Sequence, residues 1–159
     1  MSYNRDNAIA YAHKWALGRN PLYFNFDGLG GDCTNFVSQC LYAGSGVMNY
    51  TRDTGWYYIS SYNRAAAWTG VEFLHRFLTA NNKAGPYGTV MPIEFTEPGD
   101  IIQLSFDGLV FGHSIFIVST FPEILAAQHS TGQNYDYRPF STYRYQIARL
   151  IHIEGVNFR

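Results

Sequence analysis

Gly30-Gly31-Asp32-Cys33-Thr34-Asn35-Phe36-Val37 is the stretch on which the reading of this chain turns. Two glycines allow a sharp turn, and Phe36, Val37, Cys40 and Leu41 then fall on one face at helical spacing, which predicts a helix from Cys33 to about Tyr42, stopped by Ala43-Gly44-Ser45-Gly46. Cys33 therefore sits at a helix start. Unpaired amides and the positive end of the helix dipole favour a thiolate there, and a thiolate is what a nucleophilic cysteine needs. The competing reading is a small buried hydrophobe that happens to follow a turn.

Upstream, Asn4 to about Gly18 reads as a helix with Asn4 or Asp6 as its cap and Ile9, Ala12, Trp15 and Ala16 in its apolar stripe. An aromatic loop from Pro21 to Gly28 follows, and its Tyr23 lies ten residues before the cysteine. Downstream, residues 44–63 show no clean period but carry Trp56, Tyr57 and Tyr58, the pattern of either a substrate-lining loop or an ordinary packed one. Arg64 to about Asn81 reads as a third helix.

The pattern then changes to strands: Val90 to Phe95, Ile101 to Ser105, Leu109 to Ser119, Ile124 to His129 and Ala148 to Glu154, with turn signals between them. Helices first and strands afterwards predict a single α+β domain over residues 1–159, its N-terminal helices packed on an antiparallel sheet of about five strands.

Composition narrows the function classes. A formal charge of -1 with 14% charged residues provides no basic field for nucleic acid. Aromatics make up 18% of the chain, enough to fill a core and also line a groove. Seven residues on one helix would hold Cys33 and Cys40 about 10.5 Å apart, too far for a disulfide. No run is apolar enough to span a bilayer, and Met1-Ser2-Tyr3-Asn4-Arg5 lacks a signal-peptide core. A cytoplasmic protein and a domain of a longer secreted one both fit.

Five histidines offer themselves as a base. His13 and His75 lie within helices of structural character, and His152 alternates with Ile151 and Ile153, which puts it on the surface side of its strand. His113 opens a strand directly after Gly112, where a ligand can come close, and His129 ends the next strand. A hairpin through Phe121-Pro122-Glu123 would bring both to one end of the sheet. A thiolate, a proton-shuttling histidine and a group fixing its tautomer are the parts of a thiol acyl-transfer site. A zinc site of Cys33, His113 and His129 is the rival reading, without a metal-ligand spacing to support it. No GxSxG elbow supports a serine nucleophile.

Together with Pro98-Gly99-Asp100-Ile101, Gly112-His113-Ser114-Ile115-Phe116-Ile117-Val118 and Gln128-His129-Ser130-Thr131, the cysteine stretch resembles the bacterial putative amidase domain family, which is similar to NlpC-type cell-wall peptidases and CHAP amidases in the papain-like superfamily. The resemblance extends from the first helix to the last strand. It implies a papain-like fold, Cys33 as nucleophile, His113 as base and His129 as third member, with Gln128 the alternative if register slips by one. It also implies an oxyanion donor upstream of the cysteine, for which Tyr23 and Asp32 are the positions available. Trp56, Tyr57, Tyr58 and Gln128 are the expected substrate-lining residues. The implied substrate is peptidoglycan, at a stem-peptide bond or the muramoyl-alanine amide, with no cofactor or metal and a secreted or wall-associated setting. A catalytically silent module binding a wall glycopeptide or a partner peptide is the alternative.

Overall fold

The computed structural model describes residues 2–130 and 132–159. Thr131 of the Gln128–Thr131 motif and Met1 of the N-terminal segment lie outside the described residues.

Helix α1 spans Arg5–Trp15, and the Asn4 side chain accepts from the Asn7 amide at 3.0 Å, satisfying a donor that the first turn leaves open. Helix α2 spans Cys33–Ser45 and buries most of its length. The two helices cross at Gly44, where an added Cβ would meet Tyr3 Cε1 at 2.5 Å and the Asn4 carbonyl at 2.8 Å, so any larger residue forces them apart. The expected third helix is two: α3, Ala66–Thr69, and α4, Val71–Ala80, separated by an extended Gly70. A small antiparallel pair, β1 (Tyr58–Ser60) and β2 (Asn63–Arg64), lies in the connection before them.

The main sheet has six antiparallel strands rather than about five. Its members are β3 (Gly85–Met91), β4 (Ile101–Ser105), β5 (His113–Ser119), β6 (Leu125–Gln128), β7 (Tyr135–Pro139) and β8 (Ile147–Asn157), in the order β3-β8-β4-β5-β6-β7. The expected strand over 90–95 is displaced to Gly85–Met91, and a 3₁₀ turn takes Ile93–Phe95. The molecule is thus α+β, with the last strand inserted between the first and second.

Both faces of the sheet are covered, and strand parity decides which residue serves which face. Ile101, Phe116, Val118, Ala127 and Ile151 pack under the helices with Phe36, Val37 and Leu41. Ile102, Leu104, Ile115, Ile117, Ala126 and Leu150 form a second cluster with Tyr143 on the opposite face. Burying a side chain of this size contributes about 1.5–3 kcal/mol each, so the two clusters hold α2 and β5 in fixed relation. That relation carries Cys33 and His113.

A ring of charge ties α1 to the sheet. The Arg5 guanidinium lies 2.9 Å from Asp100 Oδ1 and donates to the carbonyls of Pro98 and Ile153, while His152 Nδ1 lies 2.9 Å from Asp100 Oδ2. His152, expected on the surface, is instead half-buried in this cluster. Glu97, Asp100 and His152 are the group of potential metal ligands among the described residues, and the Arg5 cation already serves their carboxylates.

Candidate active site

Cys33 is the first residue of α2, reached through Gly30 and Gly31 at φ +95° and +99°, a backbone conformation that side chains with a Cβ disfavour. His113 is the first residue of β5, and its charge and hydrogen-bonding capacity act on the Cys33 thiol. Burial on its own would raise the Cys33 thiol, but the hydrogen bond and charge of His113, the Ser114 amide and the Thr34 hydroxyl outweigh it and bring the thiol below its ordinary value. For His113, burial on its own would lower the imidazole, yet the contact with Cys33 and a hydrogen bond to Gln128 carry it above its ordinary value. Both shifts run toward a thiolate–imidazolium pair. Cys40, the other free thiol, is fully buried and pushed well up.

The tautomer of His113 follows from a chain of hydrogen bonds. The carbonyl of Gln133 can only accept, so the Gln128 NH₂ faces it at 3.2 Å and Oε1 faces the other way. Oε1 accepts from the Tyr143 hydroxyl at 2.5 Å and lies 3.2 Å from His113 Nε2. Nε2 therefore carries a proton, which leaves Nδ1 as the nitrogen available to the thiol. Beneath them, Thr34 Oγ1 lies 3.0 Å from Ser114 Oγ, which takes a hydrogen bond from Gln103 Nε2, so the start of α2 is pinned to β4 and β5.

His129 is placed elsewhere. It shares strand parity with Ala127 and faces the helices, whereas Gln128 shares parity with Ala126 and faces His113. Its Nδ1 lies 2.9 Å from Asp32 Oδ2, its Nε2 donates to the Trp15 carbonyl at 2.8 Å, and its ring stacks on Phe36 at 4.1 Å. Both nitrogens are spoken for. The third-member expectation for His129 is corrected accordingly, and the same geometry takes it out of a zinc set with Cys33 and His113.

Asp32 is corrected as an oxyanion donor. Oδ1 accepts from the Phe26 amide and Asn35 Nδ2, each at 2.9 Å, and Oδ2 meets Arg19 and His129. Burial opposes its charge, but the hydrogen bonds from His129, Asn35 and Phe26, with the Arg19 charge, hold the carboxyl below its ordinary value. An ionised carboxylate has no hydrogen to offer. Tyr23 stacks against Trp68 and Tyr58, with ring centroids at 5.9 and 5.0 Å, and its hydroxyl makes no hydrogen bond among the described residues. Burial and the neighbouring phenols of Tyr42 and Tyr58 push it up to about 12. The Tyr23 hydroxyl thus keeps its proton, and the Cys33 amide lies at the open end of α2.

Trp56 does not line a groove. It is 0% exposed, donates from Nε1 to Ser38 Oγ at 3.0 Å and packs on Trp68. The Tyr58 hydroxyl accepts from the Phe24 amide, bracing the loop before Cys33, and Tyr57 packs on Tyr50. Of the four residues expected to line the site, Gln128 does: it borders a cavity of about 500 Å³ beside His113, with Phe106, Arg138, Tyr143 and Arg144. These last four were missed from the sequence, and only Phe106, just outside β4, carried a signal.

A thiol at a helix start and a buried imidazole whose Nε2 faces an amide oxygen make up the candidate site of this α+β protein. The chain belongs to the family described as "Putative amidase domain", whose model matches residues 2–153. It is 37% identical over 123 residues to the uncharacterized protein YhbB of Bacillus subtilis (strain 168), an alignment covering 75% of this chain. The chain spans 38% of that relative's length. No solved structure matches. No helix among the described residues is long and apolar enough to cross a membrane.

Proposed function

We propose that this protein is a thiol hydrolase of amide bonds, with Cys33 as nucleophile, His113 as general base and acid, and Gln128 as the residue that orients His113. Family membership suggests amide hydrolysis. The observation that supports the cysteine mechanism is a thiol at the start of α2 drawn down by His113, whose Nε2 lies 3.2 Å from Gln128 Oε1.

The Cys33 thiolate, its proton already held on His113 Nδ1, attacks the amide carbonyl, and the tetrahedral oxyanion is met by the Cys33 amide. Collapse breaks the C–N bond, and the proton on Nδ1 goes to the departing amine. Water then attacks the thioester, giving a proton to His113, and the thiolate leaves with release of the acid. The papain-like placement and the substrate class, peptidoglycan stem peptides or the muramoyl-alanine amide, rest on the resemblance of the four motifs.

Incubation with purified peptidoglycan, wild type beside Cys33→Ala, tests the reading by mass analysis of released fragments. Fragments from the wild type alone support it and name the bond. Equal release by both proteins excludes Cys33 as nucleophile, and release by neither points to a binding module or a substrate outside the wall.

A further inference from the structure

We propose that the cavity beside His113 is a carboxylate-binding subsite, so that the substrate of this enzyme bears a free carboxylate near the scissile bond. The inference rests on the hydrolase reading of Cys33 and His113 and extends it to the substrate.

The cavity has about 500 Å³ and is bordered by His113, Gln128, Tyr143, Arg138 and Arg144, with no acidic side chain among its described lining residues. Arg138 is built in. Its Nε donates to Thr142 Oγ1 at 2.9 Å and its Nη2 to the Thr142 carbonyl at 3.1 Å, while the guanidinium lies 3.8 Å over the Tyr143 ring and 4.6 Å over that of Tyr135. These contacts fix the cation without neutralising it, because none of them is a carboxylate. Arg144 is exposed and makes no hydrogen bond or ion pair among the described residues.

Two unneutralised guanidinium groups beside the base run against its chemistry. The Arg138 charge opposes protonation of His113, which must become imidazolium during the reaction. An anion arriving with the substrate removes that opposition. It also matches the planar donors of arginine, which pair with carboxylates through two parallel hydrogen bonds.

His113, Gln128 and Tyr143 line the cavity and Cys33 does not, so the carboxylate it takes lies beyond the Gln128 side of the His113 ring rather than at the thiol.

Two alkylating probes test the subsite without knowledge of the natural substrate: iodoacetylglycine and iodoacetylglycinamide, which share an electrophile and differ in one carboxylate. Cys40 is fully buried, so alkylation reports Cys33. At low ionic strength the acid-to-amide rate ratio, divided by the same ratio for free cysteine, is expected to be about tenfold in the wild type. Arg144→Gln, a change at an exposed position with no contact to lose, is expected to lower that ratio about threefold, and Arg138→Gln further. A wild-type ratio equal to that of free cysteine overturns the subsite, as does a ratio that neither substitution moves. Failure of the underlying reading looks different: Cys33 would then react with the neutral probe no faster than free cysteine at mildly acidic pH.

Discussion

Nε2 of His113 lies 3.2 Å from Oε1 of Gln128, and Gln128 is itself held at both ends, by the Tyr143 hydroxyl and by the carbonyl of Gln133. The ring of His113 is thereby fixed in one tautomer and one orientation by Gln128 and the two groups that hold it. Its reactive nitrogen is the one they leave alone.

Gln128→Leu, which keeps the volume and removes the acceptor, follows directly. His113 loses a hydrogen bond worth about 1–1.5 kcal/mol to its protonated form, equivalent to about a tenfold change in an equilibrium constant. Alkylation of Cys33 between pH 5 and 6 is expected to slow by about that factor, with the inflection of the rate–pH curve moving upward. His129→Asn tests the opposite assignment: it is expected to lower stability and leave that inflection in place.

Asp32, 1% exposed, joins Arg19 and His129 beneath the start of α2. Asp32→Asn removes a buried charge from between its partners and is expected to cost about 3 kcal/mol in urea unfolding at pH 7. Because the folded carboxyl lies below its ordinary value, its contribution is fully present above the unfolded value of about 3.9 and is lost as pH falls through the folded one. The stability of the wild type should therefore fall more steeply than that of the variant below about pH 4.

Trp56 and Tyr57 are neighbours with opposite fates. Trp56→Ala empties a fully buried site against Trp68 and Phe77 and removes the hydrogen bond donated to Ser38 Oγ, with an expected cost of about 3–5 kcal/mol. Tyr57→Ala, on a half-buried ring packed against Tyr50, is expected to cost about 1 kcal/mol. The urea midpoints of the two variants decide whether this segment is core or groove.

What could be read from the sequence was local. Asn4 as a cap, the turn and helix at Cys33, and the strand Ile101–Ser105 each follow from residues adjacent in the chain. Gly70 broke a helical pattern whose apolar spacing ran through it. Strand β7 was missed because Tyr-Asp-Tyr-Arg-Pro is short, carries two charges and ends in a proline, and β3 was displaced because its first half is Gly-Pro-Tyr-Gly. In the site, Cys33 and His113 announced themselves by their glycine-led turns. The choice between Gln128 and His129 rested on a single residue of strand parity, set by which face of β6 meets the helices. Arg138 and Arg144 are brought to His113 by the order of strands alone, so no spacing in the chain marks them.

The central claim is that His113 makes Cys33 a thiolate, and the dependence of Cys33 alkylation on pH tests it most directly. With iodoacetamide and the buried Cys40 silent, the wild-type rate is expected to rise with an inflection below the ordinary thiol value of about 8.5, and His113→Ala to restore the inflection toward that value. A wild-type inflection at about 8.5, or one that His113→Ala leaves unmoved, would contradict the account.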